Sequence, residues 1–349
     1  MANFIQIHAL TAYPPSNVNR DDLGRPKTAK VGGYDRLRIS SQCLKRSWRT
    51  SECFQSGLAG HIGKRTKRIG KEYVFDPLVK KGISEAKAKE WSQKIASVFG
   101  DVKDEEGGIV SVTSQLVHVS PEEIRSVEAL VERLAVEKRE PKEEELLLLR
   151  EDARAVDIAL FGRMLASKPL FNVEAAVQVA HAITVHGAQI EDDYFTAVDD
   201  LNKGEEDRGS GHIGELGFGS GVYYLYVCIN KTELLDNLGG NEELAAKAIR
   251  ALGEAILSVT PSGKRNSFGS YARAHFALAE KGTQQPRTLA AAFFKPVKGE
   301  DIIGEAKASL VKEVGKFDKV YGPCADSRNS LDVTQGEGSL QDLLSFMAK

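Results

Sequence analysis

Set aside the polar stretches between them, and the apolar segments of this chain follow the order strand, helix, strand, strand, helix, strand. "NFIQIHAL" opens with alternating Phe4, Ile5, Ile7 and Leu10, the two-residue period of a strand. "SSQCLKRSWR" has helical spacing. "NVEAAVQVAHAITVHG" and "VYYLYVCIN" are strand-like, "EELAAKAIRALGEAILSV" is an amphipathic helix, and "YARAHFALAEKG" is a further strand. That order predicts an α+β domain of the ferredoxin-like or RRM-like kind, an antiparallel sheet with two helices on one face.

The intervening sequence divides the chain. Residues 1–56, 171–187 and 220–349 are expected to form the discontinuous core domain, 57–170 a mainly helical insertion, and the glycine-dense 188–219 a protruding β-hairpin. Within these, "TAYPPSNVNRDDLGRPKTAKVGGYD" reads as one long loop and "YDRLRIS" as a short strand. "GGIVSVTSQLVHVS" is expected to supply a strand pair. The segment from Pro121 to Leu165 reads as two charged helices separated at Pro141. "TLAAAFFKPV" is expected to be a strand, with a helix over "IIGEAKASLVKEVGKF" and a short one at the C-terminus. No internal repeat or low-complexity tract is visible.

No apolar run approaches the roughly 20 residues of a membrane-spanning helix, and the start lacks the features of a signal peptide, so no membrane partner and a cytoplasmic location are expected. Cys43, Cys53, Cys228 and Cys324 lie far apart, which predicts buried free thiols. The overall net charge of −2 conceals an asymmetry: residues 20–71 hold fourteen bases against four acids, a net of +10, leaving −12 for the remainder. A basic segment on an acidic chain is either a solvated surface or a local polyanion site.

Several catalytic and cofactor chemistries lack their motifs. His181 and His186 are five apart on a predicted strand, on opposite faces, without metal-ligand spacing. "GFGSG" leads into a strand and so is not a dinucleotide loop, and "TPSGKRN" lacks the first P-loop glycine and the Ser or Thr after its lysine. No metal site and no cofactor are therefore expected. Asp21, Asp22 and Asp35 are the acids near the bases and could hold Mg²⁺ or act as a general base, or could pair with Arg20 or Arg25 or cap a turn.

The helix after Ser40 carries the stronger signal. Ser40 or Ser41 can cap it, Leu44, Ser47 and Trp48 share one face, and Gln42, Lys45, Arg46 and Arg49 share another. With no acid before Glu52, these cations repel one another and predict an absent anion. A capped helix start adds free N–H groups for phosphate. Arg38 belongs to the same basic run, and Lys264 with Arg265 in "PSGKRNSFGS" is a second basic loop. Tyr34, Trp48 and Phe268 could stack on bases or belong to the core.

In "FIQIHAL", "NRDD", "RISSQCLKRSWR", "DIALFGRM", "AHAITVH", "DYFTAVDDL", "GSGVYYLYVCIN" and "LGGN", the chain resembles the CasC family, the repeated backbone subunit of the type I-E CRISPR complex Cascade. The resemblance implies a right-hand shape with an RRM-like palm, helical fingers and a thumb hairpin. It also implies a non-catalytic subunit whose copies polymerise along a CRISPR RNA beside other Cascade subunits, presenting bases in segments to a target DNA strand. RNA-backbone contacts would come from Arg20, Lys27, Ser40, Gln42, Lys45, Arg49 and Lys264, while Met164 and Phe195 would wedge against a displaced nucleotide. The alternative is a metal-dependent RNA endonuclease subunit of a related effector, acting through one of the three aspartates.

Overall fold

In a computed structural model describing residues 3–105, 109–152, 154–197 and 212–349, the apolar alternation at the N-terminus produces strand β1 (Phe4–Ser16). Its odd residues Ile5, Ile7, Ala9 and Tyr13 enter one core and Leu10 enters another, so both faces of this strand are packed. The stretch expected as a loop is ordered instead. β1 runs on to Ser16 because its backbone keeps a partner that far, with a register shift between Tyr13 and Ser16 where Pro14 and Pro15 interrupt the ladder. Strands β2 (Thr28–Val31) and β3 (Tyr34–Ile39) then form a hairpin turning at Gly32 and Gly33, both at positive φ. Helices α1 (Ser41–Arg49) and α2 (Glu52–Gly57) follow.

Between α2 and the return to the sheet, the chain builds a second core. Strand β4 (Lys64–Thr66), helices α3 (Asp76–Lys80) and α4 (Glu85–Ala96), strands β5 (Val102–Glu105), β6 (Ile109–Thr113) and β7 (Val117–Val119), and helices α5 (Pro121–Glu137) and α6 (Val156–Phe161) span this region. Trp91, Ile95, Val127, Leu130 and Leu134 are at its centre. β6 and β7 do not pair with each other as expected; β6 pairs with β5 and β7 with β4. The second charged helix is reduced to the short α6. α5 stops at Lys138, whose φ is +53°, and the Glu145 carboxylate accepts hydrogen bonds from the Lys142 amide and the Arg139 guanidinium, closing a single 3-10 turn at Glu143–Leu146. Buried Glu123 completes the capping box of α5 with Ser120 and receives Arg163 Nη1 at 2.9 Å on both oxygens, an ion pair with almost no solvent exposure.

The sheet resumes with β8 (Val177–Val179) and β9 (Ala182–Thr184), then β10 (Glu191–Ala197) and the 19-residue β11 (His212–Asn230). β11 pairs with β1 along its C-terminal half and with β10 along its N-terminal end, from Glu191↔Phe218 to Ala197↔His212, which makes a two-stranded arm. The part of the expected thumb at residues 198–211 lies outside the described residues. At the root of the arm a Cβ on Gly219 would meet Leu37 Cδ1 at 2.7 Å, and one on Gly221 would meet His186 Nε2 at 2.7 Å, so both glycines accommodate side chains packed against the strand.

Helices α7 (Lys231–Asn237), α8 (Glu242–Ser258) and α9 (Arg265–Phe268), strand β12 (Ala274–Gly282), helix α10 (Ile302–Tyr321), strand β13 (Ser327–Asp332) and helix α11 (Leu340–Ala348) complete the chain. The main sheet runs β13-β12-β1-β11-β9-β3-β2, and every pairing in it is antiparallel. Its β12-β1-β11-β9 centre is the order the βαββαβ pattern requires. α1 and α8 cover one face through Trp48, Leu252 and their neighbours. The other face is not left open: Phe293, Leu310 and Val314, the last two on α10, pack on Leu10, Tyr224 and Phe276. "TLAAAFFKPV" forms no strand, because β13 holds the place beside β12 and the buried Arg36 guanidinium takes the Phe293 carbonyl at 2.7 Å.

Removing one member of the buried Arg163–Glu123 pair leaves a charge without a partner, so Arg163→Ala is expected to cost about 3 kcal/mol or more. Chemical denaturation checks this, and a loss under about 1 kcal/mol would contradict the role given to the pair.

Candidate nucleic-acid interface

α1 is fixed from within and charged on the outside. The Ser40 side chain accepts the Cys43 amide at 3.3 Å and caps the helix, while Leu44 and Trp48 are buried. This orientation turns Gln42, Lys45, Arg46 and Arg49 away from the sheet. Among the described residues Lys45 and Arg46 make no ion pair, and Arg49 lies 3.7 Å from Asp157. Burial pulls the Lys45 pKa down. Burial also lowers that of Arg49; Arg65 and Arg46 add to the effect and Asp157 opposes it. Burial thus disfavours the charged form of both side chains, and of the two only Arg49 has a carboxylate near it among the described residues.

Two grooves flank the helix and share Arg46. The first, of about 1140 Å³, lies between α1, the loop carrying Arg20 and the segment 258–273. The second, of about 860 Å³, has Gln42, Lys45 and Arg49 on one wall and Arg65, Leu116 and Met164 on the other. Met164 is 80% exposed there, a large apolar side chain open to solvent opposite a row of cations.

The loops beside the grooves are held by specific contacts. The Asn19 side chain accepts the Ser40 amide at 2.8 Å, and Asn17 donates to the carbonyls of Gly24 and Gly217. The backbone of Arg20 bridges to Pro26, and the Lys27 amide donates to Asn19. Asp21 has a structural use, one carboxylate oxygen accepting the amides of Leu23 and Arg25. Gly263 sits against Val18, where a Cβ would lie 2.4 Å from the carbonyl oxygen, and this close approach seats the loop of Lys264 beside that of Arg20. Lys264 itself has φ +49° at the start of α9. Arg25 pairs with Asp192 at 3.0 Å, which anchors the arm to the same loop.

The structure therefore places Arg20, Arg46 and Arg265 on the first groove and Gln42, Lys45, Arg46, Arg49 and Met164 on the second. Arg265 is partly committed within its own loop: it donates to the Thr260 carbonyl and stacks 5.2 Å over the Tyr271 ring. Lys27, Arg38, Ser40, Lys264 and Phe195 line neither groove. Arg38 donates to the Thr28 carbonyl and contacts His181 at the start of α1. Phe195, 43% exposed, lies on the arm across from Gly214, with its ring over the glycine. Cys228 and Cys324 are buried free thiols as expected, whereas Cys43 and Cys53 are only half-buried.

Sequence reasoning missed several members of this surface. His181, expected on a strand, lies between β8 and β9 and is exposed, and its Nδ1 accepts the Ser41 amide at 3.3 Å. Arg65 had a signal, the basic run 64–71. Leu116, His118 and Asp157 had none, because only the fold brings β7 and α6 to α1. Asp157 is fully buried and accepts His118 Nε2 at 2.7 Å and the Gly63 amide at 2.8 Å. Burial works to raise its pKa, but the bonds from His118 and Gly63 and the charge of Arg49 prevail and hold it below the ordinary value.

An antiparallel sheet packed on both faces thus carries a capped helix whose cationic side lies between two grooves, with Arg49 alone of its cations near a carboxylate among the described residues. The chain belongs to the CT1975-like protein family, whose sequence profile matches residues 5–344. Its fold is shared with a chain of "CRISPR RNA-guided surveillance complex, pre-nicking", 31% identical with a TM-score of 0.84 and 99% of both chains covered. A chain of another "CRISPR RNA-guided surveillance complex" is 26% identical, with a TM-score of 0.74 and the same coverage. No curated protein matches. Among the described residues no helix is long and apolar enough to cross a membrane.

A carboxylate held below its unfolded pKa of about 3.9 stabilises the fold above that pH and loses its contribution as pH falls through the folded value. The stability gap between the wild type and Asp157→Asn is therefore expected to be full at pH 7 and to narrow below about pH 4. Urea midpoints across pH 2.5–7 check this; a gap independent of pH would contradict it.

Proposed function

We propose that the chain is the non-catalytic, repeated backbone subunit of a type I-E Cascade complex. In this reading the CRISPR RNA runs along α1, its phosphates meeting Arg20, Lys27, Arg38, Ser40, Gln42, Lys45, Arg46, Arg49, Lys264 and Arg265. The observation that carries it is the cationic face of α1, where Lys45 and Arg46 have no ion-pair partner among the described residues. The family and the likeness to chains of RNA-guided complexes support the same reading.

The physical mechanism is positional. Phosphate contacts carry no sequence information, so specificity is left to base pairing between the guide and a target DNA strand. Holding the guide in an extended shape beforehand lowers the ordering cost of that pairing. The centre of the sheet is packed on both faces, so it offers bases no stacking surface and the backbone becomes the natural handle. Met164 and Phe195 serve as apolar wedges for a displaced nucleotide. The palm (1–56, 171–187 and 220–349), fingers (57–170) and thumb (188–219) divide the work among RNA, neighbouring copies and other Cascade subunits, in the cytoplasm.

Lys45→Glu with Arg49→Glu is expected to weaken binding to single-stranded RNA at least tenfold for every guide sequence, and to reduce the slope of log affinity against log salt by about 1.4. Fluorescence anisotropy with several unrelated guides checks this. A loss confined to certain guides, or an unchanged salt slope, would sink the proposal.

A further inference from the structure

Asp157 is a buried acid one side chain away from a cationic surface. It belongs to neither groove lining, yet three separate segments converge on its carboxylate: the Gly63 amide from the chain after α2, His118 from β7 and Arg49 from α1. The first two bonds, at 2.8 and 2.7 Å, use one oxygen each and fix the carboxylate plane. Arg49 then lies 3.7 Å from the oxygen that His118 occupies, close enough for attraction but outside hydrogen-bond range. Its Nη1 is drawn toward the carboxylate, and the guanidinium still lines the second groove. Arg65 and Arg46 repel Arg49, so the side chain sits in a balance of one attraction and two repulsions.

We infer that Asp157 is a positioning residue for phosphate binding: it holds Arg49 against the repulsion of its neighbours and ties both walls of the second groove to one point. This rests on the RNA-backbone reading above and deepens it. His118 and Arg65 are on the far wall and Arg49 is on α1, so a fixed carboxylate between them fixes their spacing. The inference opposes simple charge counting. Neutralising an acid beside a cationic groove should strengthen polyanion binding; releasing a positioned arginine should weaken it.

The experiment is a double-mutant cycle on the purified full chain, using Asp157→Asn, Arg49→Gln and their combination, with affinity for a single-stranded RNA oligonucleotide read by anisotropy at several salt concentrations. Asp157→Asn is expected to weaken binding about fivefold although the groove becomes more positive, and to have almost no effect in the Arg49→Gln background. A fingers-core truncation, Leu130→Ala, controls for general destabilisation and is expected to lower the melting temperature without the affinity loss. Binding that is unchanged or tighter in Asp157→Asn, or an equal loss in both backgrounds, would overturn the inference. If instead the wild type fails to bind RNA in a salt-dependent way, the failure belongs to the proposed function.

Discussion

The antiparallel ladder between β1 and β11, from Phe4↔Asn230 to Ser16↔Gly219, is the contact on which the other parts depend. It joins segments that lie more than half the chain apart, and two of the segments lining the first groove attach beside it. Beyond Ser16 comes the loop of Arg20; the N-terminal end of β11 belongs to the arm; β12, on the other side of β1, is preceded by the loop of Lys264. Loops that begin at neighbouring strand ends need few further contacts to be set. Here those are the Asn17 and Asn19 side chains and the close approach of Gly263 to Val18.

Charge placement follows from packing. Trp48 and Leu44 leave α1 one way to lie on the sheet, and that choice fixes where its cations point. A surface helix normally relieves such a row with glutamates. In this protein α1 itself carries no acid, while acids of the second core pair with cations of their own, as Glu145 does with Arg139 and Glu123 with Arg163. The buried carboxylate of Asp157, close to α1, is shared with His118 and Gly63 and so only partly offsets Arg49.

Much of this was legible in the sequence where a local rule decides the outcome. The two-residue alternation of β1, the Ser40 cap and the helical spacing of Leu44 and Trp48 each depend on neighbours within a turn or two, and each held. The errors fall where distant segments compete. "TLAAAFFKPV" has strand composition, but Arg36 takes its Phe293 carbonyl and β13, which was not anticipated, holds the sheet edge. The sequence from 142 to 155 has helical composition, yet Lys138 and Arg139 fold it back on Glu145. At the interface, the cations of α1 were visible as a pattern, whereas Leu116, His118 and Asp157 reach it only through the folded path of the insertion. His181, between β8 and β9, likewise reaches the start of α1 only in the folded chain, where its Nδ1 accepts the Ser41 amide.

The root of the arm has a mechanical implication. A glycine-dense stretch reads as a joint, but Gly219 and Gly221 are sockets filled by Leu37 and His186, and β11 continues through them even though its register with β1 shifts there, between Tyr13↔Gly221 and Ser16↔Gly219. An arm built this way behaves as a lever clamped at its fulcrum. Torque on the arm is delivered to the middle of the sheet instead of being dissipated at the base, so whatever grips the arm also pulls on β1 and its neighbours.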